Sequence, residues 1–122
     1  MLTLILTLYA IQIQTQAIMC QANIYEVVVE ASAYNSCEWQ TDGSPGITAY
    51  GYKLTDDSKV VASNFLKAHQ LISIDGVLYT NEDKMAQRYQ DHIDIYMGSC
   101  TTANIQKAVN FGRQTKKIII YE

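Results

Sequence analysis

The segment His92-Ile93-Asp94-Ile95-Tyr96-Met97 alternates apolar and polar side chains around an aspartate. Period-two geometry puts Ile93, Ile95 and Met97 on a core face and His92, Asp94 and Tyr96 on the other. Aspartate is a poor strand former, so Asp94 needs a reason to be there. One reason is a face wetted by solvent. The other is a cleft carboxyl whose apolar neighbours raise its pKa, keeping it protonated as a general acid. Asp83 precedes it by eleven residues, at the end of the preceding strand pattern. Two strand-end carboxylates joined by a loop can converge on one site.

Other chemistries lack their residues. His69 and His92 are far apart, and no H-x-x-x-H or C-x-x-C spacing occurs, so no metal site is expected. No G-x-S-x-G and no glycine-rich phosphate loop is present, and no cofactor is expected. Nothing local supports Cys37 and His92 as a nucleophile and base.

The elements that must hold these aspartates read as short strands. Glu26 to Tyr34 is one, with Val27, Val29, Ala31 and Ala33 on one face. Asp42-Gly43-Ser44-Pro45-Gly46 is a turn, and a second strand is expected from about Ile47 to Leu54. Lys59 to Ala62 follows as a short strand, then a helical turn through Phe65, Leu66 and Ala68. Leu71-Ile72-Ser73-Ile74 and Val77-Leu78-Tyr79-Thr80 flank Asp75-Gly76, a strong hairpin signal. A polar loop from Lys84 to Asp91 leads into the strand at His92. A helix capped by Ser99, Thr101 or Thr102 carries Ile105, Ala108 and Val109 and stops at Gly112. Lys116 to Tyr121 is a last strand. Six or seven short strands, one helix and no βαβ rhythm point to a mainly β fold, a small β-barrel.

The chain has 122 residues, enough for one ordinary domain, and a formal net charge of −3. That balance argues against a duplex nucleic-acid partner, which calls for a basic face. Met1 to Gln21 contains no Asp, Glu, Lys or Arg. Its apolar run from Leu2 to Ile11 is too short to span the roughly 30 Å hydrocarbon core, and Gln12, Gln14 and Gln16 follow. This is the pattern of a secretory signal's apolar region, with small residues for cleavage at Ala17 and Ala22, although no basic residue precedes it. A buried first element and a retained anchor are the alternatives. Ile18 and Met19 speak against a lipidated Cys20. Residues 1–22 are thus read as an export signal and 23–122 as the domain, without a stable membrane span once the signal is removed. Cys37 and Cys100 then remain. An even pair in an exported chain suggests a disulfide, the alternative being two unrelated buried thiols.

Several short pieces, in order, resemble the three-aspartate (3D) domain. They are Ala33-Tyr34-Asn35, Thr48-Ala49-Tyr50-Gly51, Val61-Ala62-Ser63-Asn64, Asp83-Lys84-Met85, Ile93-Asp94-Ile95-Tyr96-Met97-Gly98 and Phe111-Gly112-Arg113. Through it they resemble the catalytic barrel of the membrane-bound lytic transglycosylase A family. The resemblance spans roughly Glu30 to Tyr121 and implies a six-stranded double-psi β-barrel. It implies an enzyme acting on peptidoglycan glycan strands; with the export signal, the expectation is an exported monomer. Asp94 takes the position of the catalytic acid, Asp83 the second aspartate position, and Asn64 stands where the first aspartate would be. Tyr34, Thr48, Gly51, Lys84 and Tyr96 fall in the implied substrate groove. Lys84-Met85-Ala86-Gln87-Arg88-Tyr89 replaces a glycine-rich stretch, and Ala68-His69-Gln70 replaces a Pro-x-Gly. Asn64 and the altered loop admit two other readings: a non-catalytic glycan-binding or wall-loosening barrel, and a structural module of a phage particle.

Overall fold

The computed structural model describes residues 23–40 and 44–122. The expected export signal, Cys20, and the Asp42-Gly43 part of the expected turn lie outside the described residues. Six strands close into a barrel: β1 (Ile24–Ser36), β2 (Val60–Ser63), β3 (Leu71–Ile74), β4 (Val77–Asp83), β5 (His92–Ser99) and β6 (Gln114–Tyr121). Their order around the barrel is β1-β5-β2-β4-β3-β6. The pairs β1·β5 and β2·β4 are parallel, and the other four are antiparallel. Among the described residues no helix is long and apolar enough to cross a membrane.

The β3–β4 hairpin follows from its turn chemistry. Asp75 and Gly76 both have positive φ, 51° and 80°, while Ile74 pairs with Val77. That is the geometry of the tight two-residue turn that Asp-Gly favours, because glycine takes the left-handed region without cost. The helix α1 (Thr102–Phe111) also follows its end signals. The Thr101 side chain accepts from the Asn104 N–H, and Gly112, at φ 62°, returns its N–H to the Ala108 carbonyl. Cys37 and Cys100 form a disulfide with Cα atoms 5.0 Å apart, tying the end of β1 to the start of α1.

The expected strand from Ile47 to Leu54 is replaced by turns joined through a single Ile47–Lys53 bridge. The cause is local. Thr48 is buried, its hydroxyl takes the Tyr52 N–H, and Gly51, at φ 82°, donates to the Thr48 carbonyl. These bonds close a tight loop and compete with strand extension. The expected helical turn at Phe65–Ala68 is also absent. The Ser63 hydroxyl accepts from the N–H groups of Phe65 and Leu66, bending the chain so that Leu66 enters the core.

The main core fills the barrel with Val29, Ala31, Val61, Ile72, Ile74, Ile93, Ile95, Ile118 and Ile120. A second cluster, Tyr34, Val60, Ala62 and Tyr96, lies on the opposite face of β1, β2 and β5, with Leu54 and Met85 against it. These strands are therefore covered on both sides. The face of β5 that carries Asp94 and Tyr96 is packed rather than fully wetted.

Candidate active site

Ala62 is the centre of the site. On one side it pairs with Asp94 of β5, and on the other with Asp83 of β4. At ordinary strand spacing the two aspartates are roughly 10 Å apart at their Cα atoms, with only a methyl group between them. The pairing with Asp83 depends on a bulge. Val60 pairs with Thr80 and Val61 with Asn81, but Ala62 pairs with Asp83, so Glu82 is the extra residue. Without the bulge Glu82 would stand beside Ala62. Instead Glu82 is buried elsewhere, with its carboxylate 2.6 Å from His69 Nδ1.

Asp94 is partly buried. The Ser32 hydroxyl, from the paired position on β1, donates to its Oδ1 at 3.1 Å. Burial pushes the carboxyl up from 3.8 to about 6; the Ser32 hydrogen bond works against this, and the nearby Asp83 charge adds to it. Asp83 is fixed by three donors. The backbone N–H groups of Ala49 and Lys84 each lie 2.9 Å from Oδ1, and the Tyr34 hydroxyl lies 3.4 Å from Oδ2. Burial, then the charges of Asp83 and Asp94, hold the Tyr34 phenol in its neutral form well above the usual range. It is a donor here and not a base. The site thus holds one carboxyl that can exchange a proton near neutral pH and one whose bonds are committed to holding structure.

Both aspartates open into a cleft of about 780 Å³. The barrel supplies Tyr34, Ala62, Asp83 and Asp94. Gln40, Ser44, Ile47, Thr48 and Ala49 come from the segment after β1, and Lys84, Met85, Ala86 and Tyr89 from the loop after β4. Of the residues singled out in the sequence, Asp94, Asp83, Tyr34, Thr48 and Lys84 meet in this cleft. Tyr96, Gly51 and Asn64 do not line it. Tyr96 is buried, its ring 5.5 Å from that of Tyr34 and its hydroxyl bonded to Ser36 Oγ at 3.1 Å. Gly51 shapes the turn that presents Thr48.

Asn64 holds the loop between β4 and β5. Its amide nitrogen donates to the Ala86 and Tyr89 carbonyls, and its oxygen accepts from the Met85 N–H, all at 3.0 Å. An ionised aspartate could accept from Met85 but could not donate to the two carbonyls. The amide at position 64 is therefore matched to the bulky loop it holds. The alternation that places Tyr34 opposite Ala31 and Ala33 also places Ser32 on the Tyr34 side, so Ser32 was findable. Tyr89, Ile47 and Gln40 carry no such signal.

Among the described residues no group of His, Cys, Asp and Glu side chains is arranged to hold a metal ion. No model of a known protein family matches the chain, and no curated protein matches it.

Proposed function

We propose that this is an exported lytic transglycosylase of the three-aspartate type, cleaving peptidoglycan glycan strands with Asp94 as its single acid and base. The observation that carries the reading is the pairing of environments across Ala62. Asp94 is lifted to about 6 in a cleft of glycan-binding size, while Asp83 is held by three protein donors. A double-psi topology is part of the proposal. Its support is that both parallel pairs, β1·β5 and β2·β4, join strands distant in the chain, so the connections must cross over. The Cys37–Cys100 disulfide supports an oxidising destination and thus export.

Protonated Asp94 gives its proton to the glycosidic oxygen as the bond to the anomeric carbon breaks. The C6 hydroxyl of the same muramyl residue attacks that carbon and passes its proton to the Asp94 carboxylate. A 1,6-anhydro end forms, no water is consumed, and the acid is regenerated. Intramolecular attack gains from proximity, which is why one carboxyl suffices where a hydrolase uses two. Ser32 and Asp83 orient and tune Asp94; Asn64 acts through the loop. Position 64 carries no carboxyl, and that observation favours a second reading, a barrel that binds glycan without cleaving it.

Incubation with purified peptidoglycan, followed by mass spectrometry, tests the choice. The expected products are 1,6-anhydromuropeptides, which disappear with Asp94→Asn. Their rate of formation falls as pH rises through about 6, where Asp94 loses its proton. Tight sedimentation with peptidoglycan and no anhydro product would establish the binding barrel instead.

A further inference from the structure

A second, smaller cavity of about 300 Å³ adjoins the cleft, lined by Tyr50, Asn64, Lys84, Met85, Gln87 and Gln90. Lys84 and Met85 line both cavities, so this dipeptide is the divide between them. Lys84 is exposed, and its ammonium lies 5.6 Å from the centre of the Tyr50 ring. Among the described residues no ion pair involves Lys84. Among the described residues it is also the only cation lining the cleft, where the described acids are Asp83 and Asp94.

This charge pattern sorts ligands. A neutral sugar ring can lie against Tyr34, Ile47 and Tyr89 beside Asp94. A negative group there would meet Asp83 and Asp94 and be repelled. Among the described lining residues, the cation that a negative group meets is Lys84, on the way into the side cavity. Beyond Lys84 that cavity is lined by Gln87, Gln90 and Tyr50, polar residues that suit a polar branch, with the Gln90 amide nitrogen donating to the Gln87 carbonyl. A single ammonium with three donors matches a singly charged carboxylate.

We propose that Lys84 and the side cavity form a branch subsite, selecting glycans that carry a carboxylate on a substituent of the sugar held in the cleft. The inference rests on the glycan-cleaving reading and names the substrate feature that this chain's own loop selects. The carboxylate can belong to an acid group borne directly by the sugar or to a peptide attached to it.

Binding is measured by calorimetry with the full chain carrying Asp94→Asn, so that no turnover occurs. Three glycan preparations are compared: strands with peptides, strands stripped of peptides but retaining the sugar's acid, and strands with every carboxyl amidated. Carboxylate strands are expected to bind about fivefold more tightly than amidated ones, the upper end for an exposed charge pair. The preference collapses toward one with Lys84→Gln and survives with Lys84→Arg. The peptide is attached through the sugar's acid and converts it to an amide. A preference shown only by the stripped strands therefore places the recognised carboxylate on the sugar, and one shown only with peptides places it on the peptide. One shown by both means that Lys84 accepts either. Equal binding of all three preparations, or a preference untouched by Lys84→Gln, overturns the branch subsite and leaves the glycan reading standing. Absence of binding to every preparation overturns both.

Discussion

Replacing Asp94 with Asn is expected to make the protein more stable at neutral pH while removing the acid on which the proposed cleavage depends. The carboxyl titrates at about 6 in the folded protein against 3.8 for an ordinary aspartate, chiefly because burial disfavours its charge. The folded state therefore binds more protons than the unfolded state between these values. Stability is fully present below pH about 4 and is lost as pH rises through about 6. A proton-affinity difference of this size is worth about 3 kcal/mol. Asparagine has the same shape, carries no charge at any pH, and keeps an oxygen for the Ser32 hydroxyl. Asp94→Asn should therefore match the wild type near pH 4 and exceed it by about 3 kcal/mol at pH 8. Urea unfolding followed by far-UV circular dichroism, with the disulfide intact, measures this directly. With a slope of about 2 kcal/mol/M, the midpoints should separate by about 1.5 M. Stability profiles that run parallel from pH 4 to 8 would refute the claim that burial of a charged Asp94 costs folding energy.

Two further outcomes follow from the loop and the disulfide. Asn64→Asp should loosen residues 84–91, since two donated hydrogen bonds become carboxylate–carbonyl contacts; a local loss of about 2–3 kcal/mol is expected. Faster amide exchange confined to that loop is the readout, and unchanged protection there would count against the role given to Asn64. Cys37→Ser with Cys100→Ser removes a cross-link closing a 63-residue separation and should cost about 4 kcal/mol. Thermal unfolding of the double variant should match that of the reduced wild type; equal melting of oxidised and reduced protein would contradict it.

Much of the barrel could be read locally. The Asp75-Gly76 turn, the Thr101 cap and Gly112 stop of α1, and the alternation of β5 each rest on bonds within a few residues. The segment Ile47–Leu54 misled because its apolar and aromatic content suits a strand. Thr48 and Gly51 instead spend the backbone hydrogen bonds on a tight turn. The site was legible as two aspartates and a tyrosine, but its walls were not. Tyr89 arrives from a loop whose path depends on the Asn64 amide, and Gln40 and Ile47 from the segment after β1, which is laid over the barrel.

What the sequence determined by itself was the alternation that turns Asp94 away from the main core, and the turn and cap residues that delimit its strands. These are properties of neighbouring residues, and period and turn chemistry suffice to read them. Only the tertiary structure decided which acid stands across Ala62 from Asp94. One extra residue in β4 turns Glu82 toward His69 and brings Asp83 into the cleft. The register between strands distant in the chain has no local signature. Packing decided the proton affinity of Asp94 as well, since its largest cause is burial, which the folded chain alone creates.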